Sequence, residues 1–182
     1  MTYNHTIYAV LGALTTDCRT GYAIKQLIDR SLSHFWKISY GQIYPALKQL
    51  VADDLARIEQ ITEEGKPQRN EYKLTEKGSD VLKKWLEKPI EHIPTEKNEV
   101  LFKLFFARHL PLENTIRHLR EYKKMLQTQY NTYNDIERML KERRAGDTDL
   151  IYWLITLDYG KRTTKAAIEW AEVTLDKFSK RE

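Results

Sequence analysis

The chain has 182 residues, of which 41% are hydrophobic, and it contains only 7 glycines and 5 prolines. This composition excludes a disordered or collagen-like chain and favours a mainly helical protein of one large domain or two small ones. A net charge of +4 and a pI near 9.0 allow nucleic acid as a partner without requiring it.

Two short helices are predicted first. Apolar residues recur at helical spacing from Ile7 to Leu14, and the polar sequence Thr15-Thr16-Asp17 then interrupts them. Gly21 opens a second helix that continues until Ser31. The short connection between the two helices predicts that they lie side by side.

Cys18 lies in that connection and is the single cysteine of the chain. One cysteine excludes an internal disulfide framework and a cysteine-paired metal site within one subunit. Because no resolving cysteine is present, Cys18 is interpreted as a passive small residue rather than a redox sensor. A reducing cytoplasm is the expected compartment.

A third helix is predicted from Ser39 to Leu50, and it has two distinct faces. One face carries apolar residues at positions i, i+4 and i+7, so it is expected to be buried. The other carries two tyrosines and a lysine at intervals of four residues, which suits contact with DNA better than contact with water alone. The buried stripe is Ile43, Leu47 and Leu50, and the exposed stripe is Tyr40, Tyr44 and Lys48.

Two sequence features of this segment act in opposite directions on helix formation. Ser39 followed three residues later by Gln42 matches a capping box, in which side chains bind free amide hydrogens at a helix start. Pro45 removes a backbone hydrogen bond inside the helix and normally ends or kinks it. The helix is predicted to continue because the apolar stripe reaches Leu50, and because local rules are often broken at functional sites.

Positive charge is concentrated around this helix. Between Cys18 and Leu50 the sequence has five cationic side chains and one acidic side chain, Asp29. A surface that faces DNA phosphates requires a local excess of this kind.

A β-hairpin is predicted next. Residues Ala56 to Ile61 and Arg69 to Leu74 alternate with period two, and the polar, turn-forming residues 62–68 connect them. Three helices followed by a hairpin predict a winged helix-turn-helix domain. The strand residues expected to point inward are Ile58, Tyr72 and Leu74.

A fourth helix is predicted from Thr75 to Pro89, and the proline-bracketed segment that follows it is the best candidate for a linker. The prediction is therefore a mainly α protein with a winged helix-turn-helix DNA-binding domain and an all-α helical dimerisation domain. The predicted bounds are residues 1–88 for the first domain, 89–94 for the linker and 95–182 for the second domain.

The rest of the chain has helical periodicity throughout. A short helix over residues 100–105 precedes a long one from Leu112 to about Arg144, and a last helix starts near Asp149. Leucine or tyrosine recurs every seven residues along the long helix, which predicts packing against an antiparallel or intersubunit helix. The heptad residues are Leu112, Leu119, Leu126, Tyr133 and Leu140.

No signal sequence or membrane span is predicted. Apolar runs such as Ile151–Ile155 are far shorter than the roughly 20 residues that a spanning helix requires. The N-terminus has no basic segment followed by an apolar core. A soluble cytoplasmic protein without a membrane partner is expected.

Several short motifs together resemble a known family. Gly21-Tyr22-Ala23-Ile24, Phe35-Trp36, Ile43-Tyr44-Pro45-Ala46-Leu47 and Leu74-Thr75-Glu76-Lys77-Gly78 lie at characteristic distances from one another. Residues 5 to 88 resemble a PadR-type transcriptional regulator. The second half resembles the virulence-activator-like C-terminal helical domain found in one branch of that family. Asp54-Leu55 lacks the glycine that commonly follows the acidic pair in the family, so the tightness of this turn is in question.

The resemblance implies a homodimeric, DNA-binding transcriptional regulator, most often a repressor. Such a dimer would bind double-stranded DNA at a palindromic operator. It further implies that a small aromatic or amphipathic compound releases some members from their operator. The resemblance implies no cofactor.

Nine residues are candidates for DNA contact. Glutamine can bind adenine through two hydrogen bonds, lysine can bind guanine or phosphate, and tyrosine hydroxyls commonly hold phosphates. The alternatives are a solvated helix face, an ordinary charged loop at the wing and, for Tyr22, a core position against the third helix. The candidates are Tyr22, Ser39, Tyr40, Gln42, Tyr44, Lys48, Lys66, Gln68 and Arg69.

Aromatic residues of the C-terminal half are candidates for an effector pocket, because ligands often bind in aromatic-lined clefts at domain and subunit junctions. The alternative is that they belong to the packing of long helices. The candidates are Tyr122, Tyr130, Trp153 and Trp170.

Two other classes of function are weaker. An enzyme would need a nucleophile and base pair, metal-ligand spacing or a glycine-rich phosphate loop, and the sequence presents none of these patterns. The protein is therefore not expected to be an enzyme or to bind a metal. A winged-helix protein-interaction module without DNA binding is the alternative function.

Overall fold

The computed structural model describes residues 3–31, 36–61, 69–93 and 97–180. The fold is mainly helical with one two-stranded sheet, as predicted. Within these ranges, none of the helices combines the length and the low charge that crossing a bilayer would demand.

The chain divides into two compact units, residues 1–93 and residues 94–182. The predicted linker at residues 89–94 stays a prediction. In the N-terminal unit the elements are α1 (His5–Leu14), α2 (Gly21–Ser31), α3 (Tyr40–Ala52), β1 (Ala56–Ile61), β2 (Arg69–Leu74) and α4 (Glu76–Leu86). In the C-terminal unit they are α5 (Glu99–Phe105), α6 (Leu112–Arg143) and α7 (Leu150–Ser179), with a 3-10 turn at Ala107–His109.

The core of the N-terminal unit forms where the first four helices meet. Six of the ten residues of α1 are buried, so this helix lies in the centre of the unit. Ile24 of α2 packs into the same cluster. Full burial of such side chains stabilises the fold by roughly 1.5–3 kcal/mol each. The predicted buried stripe of α3, Ile43, Leu47 and Leu50, is confirmed.

The end of α3 is a Schellman motif. The Leu55 amide donates to the Leu50 carbonyl over 2.7 Å, and the Asp54 amide donates to the Val51 carbonyl over 3.1 Å. Asp54 has φ 59°, the left-handed conformation that glycine usually supplies at this position. The turn therefore keeps its tight form without glycine, and the apolar Leu55 is fully buried beside it.

The antiparallel strands pair Ala56 with Leu74 and Ile58 with Tyr72. Ile58 lies on the same face of the sheet as Ala56 and Tyr72, but its predicted burial is wrong, since 43% of this residue is exposed whereas Ala56 is only 2% exposed. The predicted inward positions Tyr72 and Leu74 of β2 are partly buried against the core, which confirms them. The amide of Tyr72 donates to the carbonyl of Arg19 over 2.7 Å, which ties β2 to the turn before α2.

In the C-terminal unit, α6 and α7 pack as an antiparallel pair. Lys123, early in α6, forms an ion pair with Glu172, late in α7, over 2.8 Å. Farther along the pair, Gly160 of α7 lies against Tyr133 of α6. A Cβ on Gly160 would lie 3.2 Å from the Tyr133 ring, so the glycine permits close approach of the two helices. The heptad positions Leu119, Leu126 and Tyr133 are buried, which confirms the predicted packing as a contact between antiparallel helices of one chain.

Candidate nucleic-acid interface

The second face of α3 is exposed, as its spacing predicts. Tyr40 and Tyr44 expose 44% and 48% of their surface, and Lys48 is also exposed. Within the described part of the chain, Lys48 forms no ion pair that would neutralise its ammonium group. This face therefore presents hydroxyl groups and a positive charge, which are the groups that proteins use against DNA phosphates and base edges.

Ser39 and Gln42 are joined at the start of α3. The Ser39 amide and the Ser39 hydroxyl donate to the same Gln42 side-chain oxygen, over 2.9 Å and 3.0 Å respectively. The predicted capping box is thereby confirmed. A bidentate contact with adenine needs that oxygen together with the amide nitrogen. Gln42 must therefore give up at least one of its two bonds with Ser39 before that oxygen can accept from an adenine.

Pro45 lies inside α3 without ending the helix. It has no amide hydrogen, so it cannot donate to the carbonyl of Gly41 four residues earlier. Both residues are exposed, so water can bind that carbonyl. The proline is tolerated because it lies away from the buried stripe.

Tyr44 packs against Gly21, the first residue of α2. A Cβ placed on Gly21 would lie 2.9 Å from two carbons of the Tyr44 ring and 3.2 Å from its hydroxyl oxygen. These distances are shorter than ordinary van der Waals contact, so a glycine is needed for this position of the ring. On its other side the Tyr44 ring lies 5.8 Å from the Tyr40 ring, with the planes at 32°. The sequence pattern does not single out Gly21 for this contact, although Gly21 is among the residues that carry the family resemblance.

Tyr22 lies beside these tyrosines and 59% of it is exposed, which excludes the core alternative. The Gln26 amide nitrogen donates to the Tyr22 hydroxyl oxygen over 2.7 Å. The hydroxyl hydrogen of Tyr22 is then directed to another acceptor. Burial first, then the Tyr44 hydroxyl, the Tyr22 hydroxyl and the Asp29 carboxylate, raise the pKa of Tyr40, so this hydroxyl stays protonated.

Charged groups around the interface are partly paired. Lys25 forms an ion pair with Asp29 on the next turn of α2. At the start of β2, Arg69 forms an ion pair with Glu71 over 3.0 Å. The predicted wing contacts Lys66 and Gln68 lie outside the described residues.

The four aromatic residues proposed for an effector pocket lie in the C-terminal unit but not together. Asn98 donates its side-chain amide to the Tyr122 hydroxyl over 3.1 Å, and the Tyr122 ring meets the Trp170 ring edge-on at 6.5 Å between centroids. Trp153 lies near the opposite end of the helix pair, and Tyr130 is partly buried along α6. The structure therefore brings Tyr122 and Trp170 together and leaves Trp153 apart.

An open cleft of about 650 Å³ lies within the N-terminal unit, between α1, the end of α3 and α4. The stacked rings of Tyr8 and Trp85, with centroids 4.5 Å apart, form part of its wall. Three lysines also line it, Lys77, Lys84 and Lys88. None of the four predicted effector residues contributes to this cleft.

Two family models match this chain. Residues 10–84 match the Transcriptional regulator PadR-like family, and residues 96–179 match the model described as Virulence activator alpha C-term. The first match includes α2, α3 and the hairpin, and the second includes nearly all of the C-terminal unit.

Similar proteins are known in two bacteria. Over 102 residues the chain is 33% identical to the negative transcriptional regulator PadR of Bacillus subtilis, an alignment that covers 54% of each protein. Over 177 residues it is 23% identical to the probable transcriptional regulator Rv1176c of Mycobacterium tuberculosis, which covers 91% of this chain and 93% of that protein.

Crystal structures of Bacillus subtilis PadR share the fold. The complex with operator DNA matches with a TM-score of 0.85 and 23% identity, over 96% of this chain and 99% of that one. The complex with p-coumaric acid matches with a TM-score of 0.76 and 24% identity, over 94% and 97%. The chain therefore combines a domain of the PadR-like family of transcriptional regulators over residues 10–84 with a C-terminal domain of the virulence-activator type over residues 96–179, and PadR is among its relatives.

Proposed function

We propose that this protein is a homodimeric repressor that binds double-stranded operator DNA with α3 as its recognition helix. The observation that carries the proposal is that α3 has one fully buried face and a second face that exposes Tyr40, Tyr44 and Lys48. In helix-turn-helix proteins the recognition helix enters the major groove and reads base edges. The Bacillus subtilis relative, a negative regulator crystallised on operator DNA, supports this assignment.

The proposed contacts divide by chemistry. Lys48 would bind guanine or phosphate from α3, and Ser39 and Gln42 would approach bases from its first turn. Tyrosine hydroxyls would hold phosphates, from Tyr40 and Tyr44 on α3 and from Tyr22 on α2. At the wing, Lys66, Gln68 and Arg69 would contact phosphate or the minor groove.

Exposed apolar residues of the C-terminal unit support dimerisation. Ile151, Ile155 and Tyr159 recur every four residues on α7 and are all exposed. Contiguous exposed apolar surface of this kind marks an interaction site. A second apolar surface surrounds α5 and consists of Leu101, Phe102, Phe105, Phe106 and Leu110. A dimer held by these helices would place two α3 helices in successive major grooves of a palindrome, about 34 Å apart.

A small aromatic ligand is the proposed effector, because the Bacillus subtilis relative has been crystallised with p-coumaric acid. Tyr122, Tyr130, Trp153 and Trp170 are the proposed effector residues. A ligand of this kind releases the operator only if it binds the free dimer geometry more tightly than the DNA-bound geometry. Quenching of Trp153 and Trp170 fluorescence by p-coumarate would support this site, whereas quenching of Trp85 would move the effector to the N-terminal cleft.

The test of the main proposal is a mobility shift with the DNA that flanks the protein's own gene. We expect a salt-sensitive complex whose affinity exceeds that for a scrambled duplex by at least about a thousandfold. A reporter gene behind the same DNA should be expressed more strongly when the protein is absent. No shift on the flanking DNA would favour the winged-helix protein-interaction module instead. We further propose that the protein acts in the cytoplasm and has no catalytic activity, in keeping with relatives that are transcriptional regulators.

A further inference from the structure

The contact between Gly21 and Tyr44 joins the two helices of the helix-turn-helix at their exposed edge. An added Cβ on Gly21 would meet the outer atoms of the Tyr44 ring, the nearest at 2.9 Å. It would meet no backbone atom among its three nearest neighbours. The absence of a Cβ on Gly21 therefore allows the Tyr44 ring to lie in this position, and the three nearest atoms that a Cβ would meet all belong to that ring and its hydroxyl.

Three tyrosines lie near one another at this edge. The Tyr40 and Tyr44 rings are neighbours at 5.8 Å, and Tyr22 is close enough to Tyr40 to influence its ionisation. The Asp29 carboxylate also acts on Tyr40, and its charge is paired with Lys25. All three side chains are about half exposed, so their hydroxyls are accessible from solvent. The bond from Gln26 occupies one lone pair of the Tyr22 oxygen and leaves its hydrogen for an outside acceptor. A cluster of uncharged donors that faces solvent is complementary to an anionic oxygen.

We propose that Tyr22, Tyr40 and Tyr44 form one cluster that binds a single DNA phosphate, and that Gly21 is the positioning residue that places Tyr44 within it. The inference rests on the proposed DNA-binding function and extends it, because it separates these tyrosines from the residues that read bases. Gly21 itself does not touch DNA.

The proposed cluster has a distinctive physical signature. Neutral hydroxyls bind a phosphate through hydrogen bonds alone. They bring no positive charge to the DNA, so they displace no counterion from it. Loss of the cluster should therefore weaken binding without changing its salt dependence. Since phosphates carry no sequence information, the loss should be about equal on operator and on scrambled DNA.

The test uses the full-length protein with fluorescence anisotropy on a labelled duplex from the upstream region and on a scrambled duplex. We expect Gly21→Ala to weaken binding to both duplexes by about 3- to 10-fold, the effect of losing one hydrogen bond. The slope of log Kd against log salt should not change. Lys48→Gln provides the contrast, because losing one phosphate-neutralising cation lowers the slope by roughly 0.9.

Gly12→Ala is the matched control for the glycine change. Gly12 lies in α1, and a Cβ there would meet nothing within 4 Å. The Gly12→Ala variant should therefore bind DNA with the affinity of the wild-type protein. Thermal unfolding of Gly21→Ala should also match the wild-type protein, because the clashing atoms belong to a side chain that can rotate away.

A double-mutant cycle isolates the role of Gly21. In a Tyr44→Ala background the added methyl group meets no ring, so Gly21→Ala should weaken binding no further. A loss that persists in that background would overturn the positioning role. Wild-type affinity in Gly21→Ala, or a changed salt slope, would overturn the neutral phosphate site while leaving the proposed DNA-binding function intact. Failure of the wild-type protein to bind either duplex would overturn the proposed function itself.

Discussion

Gly78 lies directly against the carbonyl of Leu55. A Cβ on Gly78 would be 2.0 Å from that oxygen and 2.9 Å from the carbonyl carbon. The same oxygen accepts a hydrogen bond from the Thr75 amide over 3.1 Å. The first turn of α4 is thereby held against the first residues of the hairpin, which gives a physical reason for the spacing of the Leu-Thr-x-x-Gly motif.

Gly78→Ala should destabilise the protein, because the atoms in its way are backbone atoms that cannot rotate aside. We expect the free energy of unfolding to fall by about 2–3 kcal/mol, the upper part of the range for overpacking. Urea titration followed by circular dichroism measures it. Gly12→Ala, whose new methyl group enters open space, should show no such loss. Equal stability of the two variants would contradict the close approach.

Arg69→Ala should weaken binding to operator and scrambled DNA about equally and lower the salt slope by roughly 0.9. The reason is that, of the two contacts proposed for Arg69, the one with phosphate carries no sequence information. Glu71→Gln is the matched control, because it removes the carboxylate paired with Arg69 and keeps the cation. Glu71→Gln should not weaken binding. An unchanged salt slope in Arg69→Ala would count against the phosphate contact.

Ile155→Glu should convert the dimer to a monomer, because it places a charge in the exposed apolar stripe of α7. Sedimentation velocity would detect the change. A monomer engages one half-site, so operator affinity should fall by at least about 100-fold. Ser179→Glu puts the same charge at an exposed polar position near the C-terminal end of α7, far from this stripe, and should remain dimeric. A dimeric Ile155→Glu would exclude this face as the dimer surface.

Glu137 connects α6 to α7 and should make stability depend on acid pH. Hydrogen bonds from Lys141 and then from Lys161 lower its pKa from 4.5 to about 2. The folded state therefore favours the carboxylate, so the contribution is complete above the unfolded pKa of about 4.5 and is lost as the pH falls toward 2.

Glu137→Gln should accordingly be less stable than the wild-type protein at pH 7 by about 0.5–1 kcal/mol. The difference in unfolding free energy should narrow as the pH falls from 4.5 toward 2. Glu142→Gln, at an exposed position on the same helix, should cost little at any pH. A difference that is constant with pH would mean that the ion pairs do not contribute.

Local and periodic features were predictable from the sequence, and contacts between distant residues were not. The α3 stripe was predictable because Ile43, Leu47 and Leu50 follow one helical period. This periodicity indicated a continuous helix even though a proline such as Pro45 normally ends one. The burial of Ile58 was mispredicted because period-two alternation does not reveal how far a two-stranded sheet extends beyond its core. The Gly21 contact escaped prediction because its partner is 23 positions away along the chain.

The candidate site was predictable to a similar extent. Exposure of Tyr40, Tyr44 and Lys48 followed from helix geometry alone. The capping box was also predictable from Ser39 and Gln42, but its competition with adenine recognition emerges only from the hydrogen bonds. Which tyrosines share one location depends on the packing of α2 against α3, and no repeat in the sequence encodes it.

The left-handed turn at Asp54 offers a route to a more heat-resistant protein. A side chain in this conformation costs about 1 kcal/mol that glycine would not incur. Asp54→Gly should therefore raise the melting temperature by a few degrees, measured by differential scanning calorimetry. Asp54 lies just after the C-terminal end of α3, whereas the proposed DNA contacts begin at the N-terminal end of this helix. Thermal stability and operator recognition should therefore be adjustable independently.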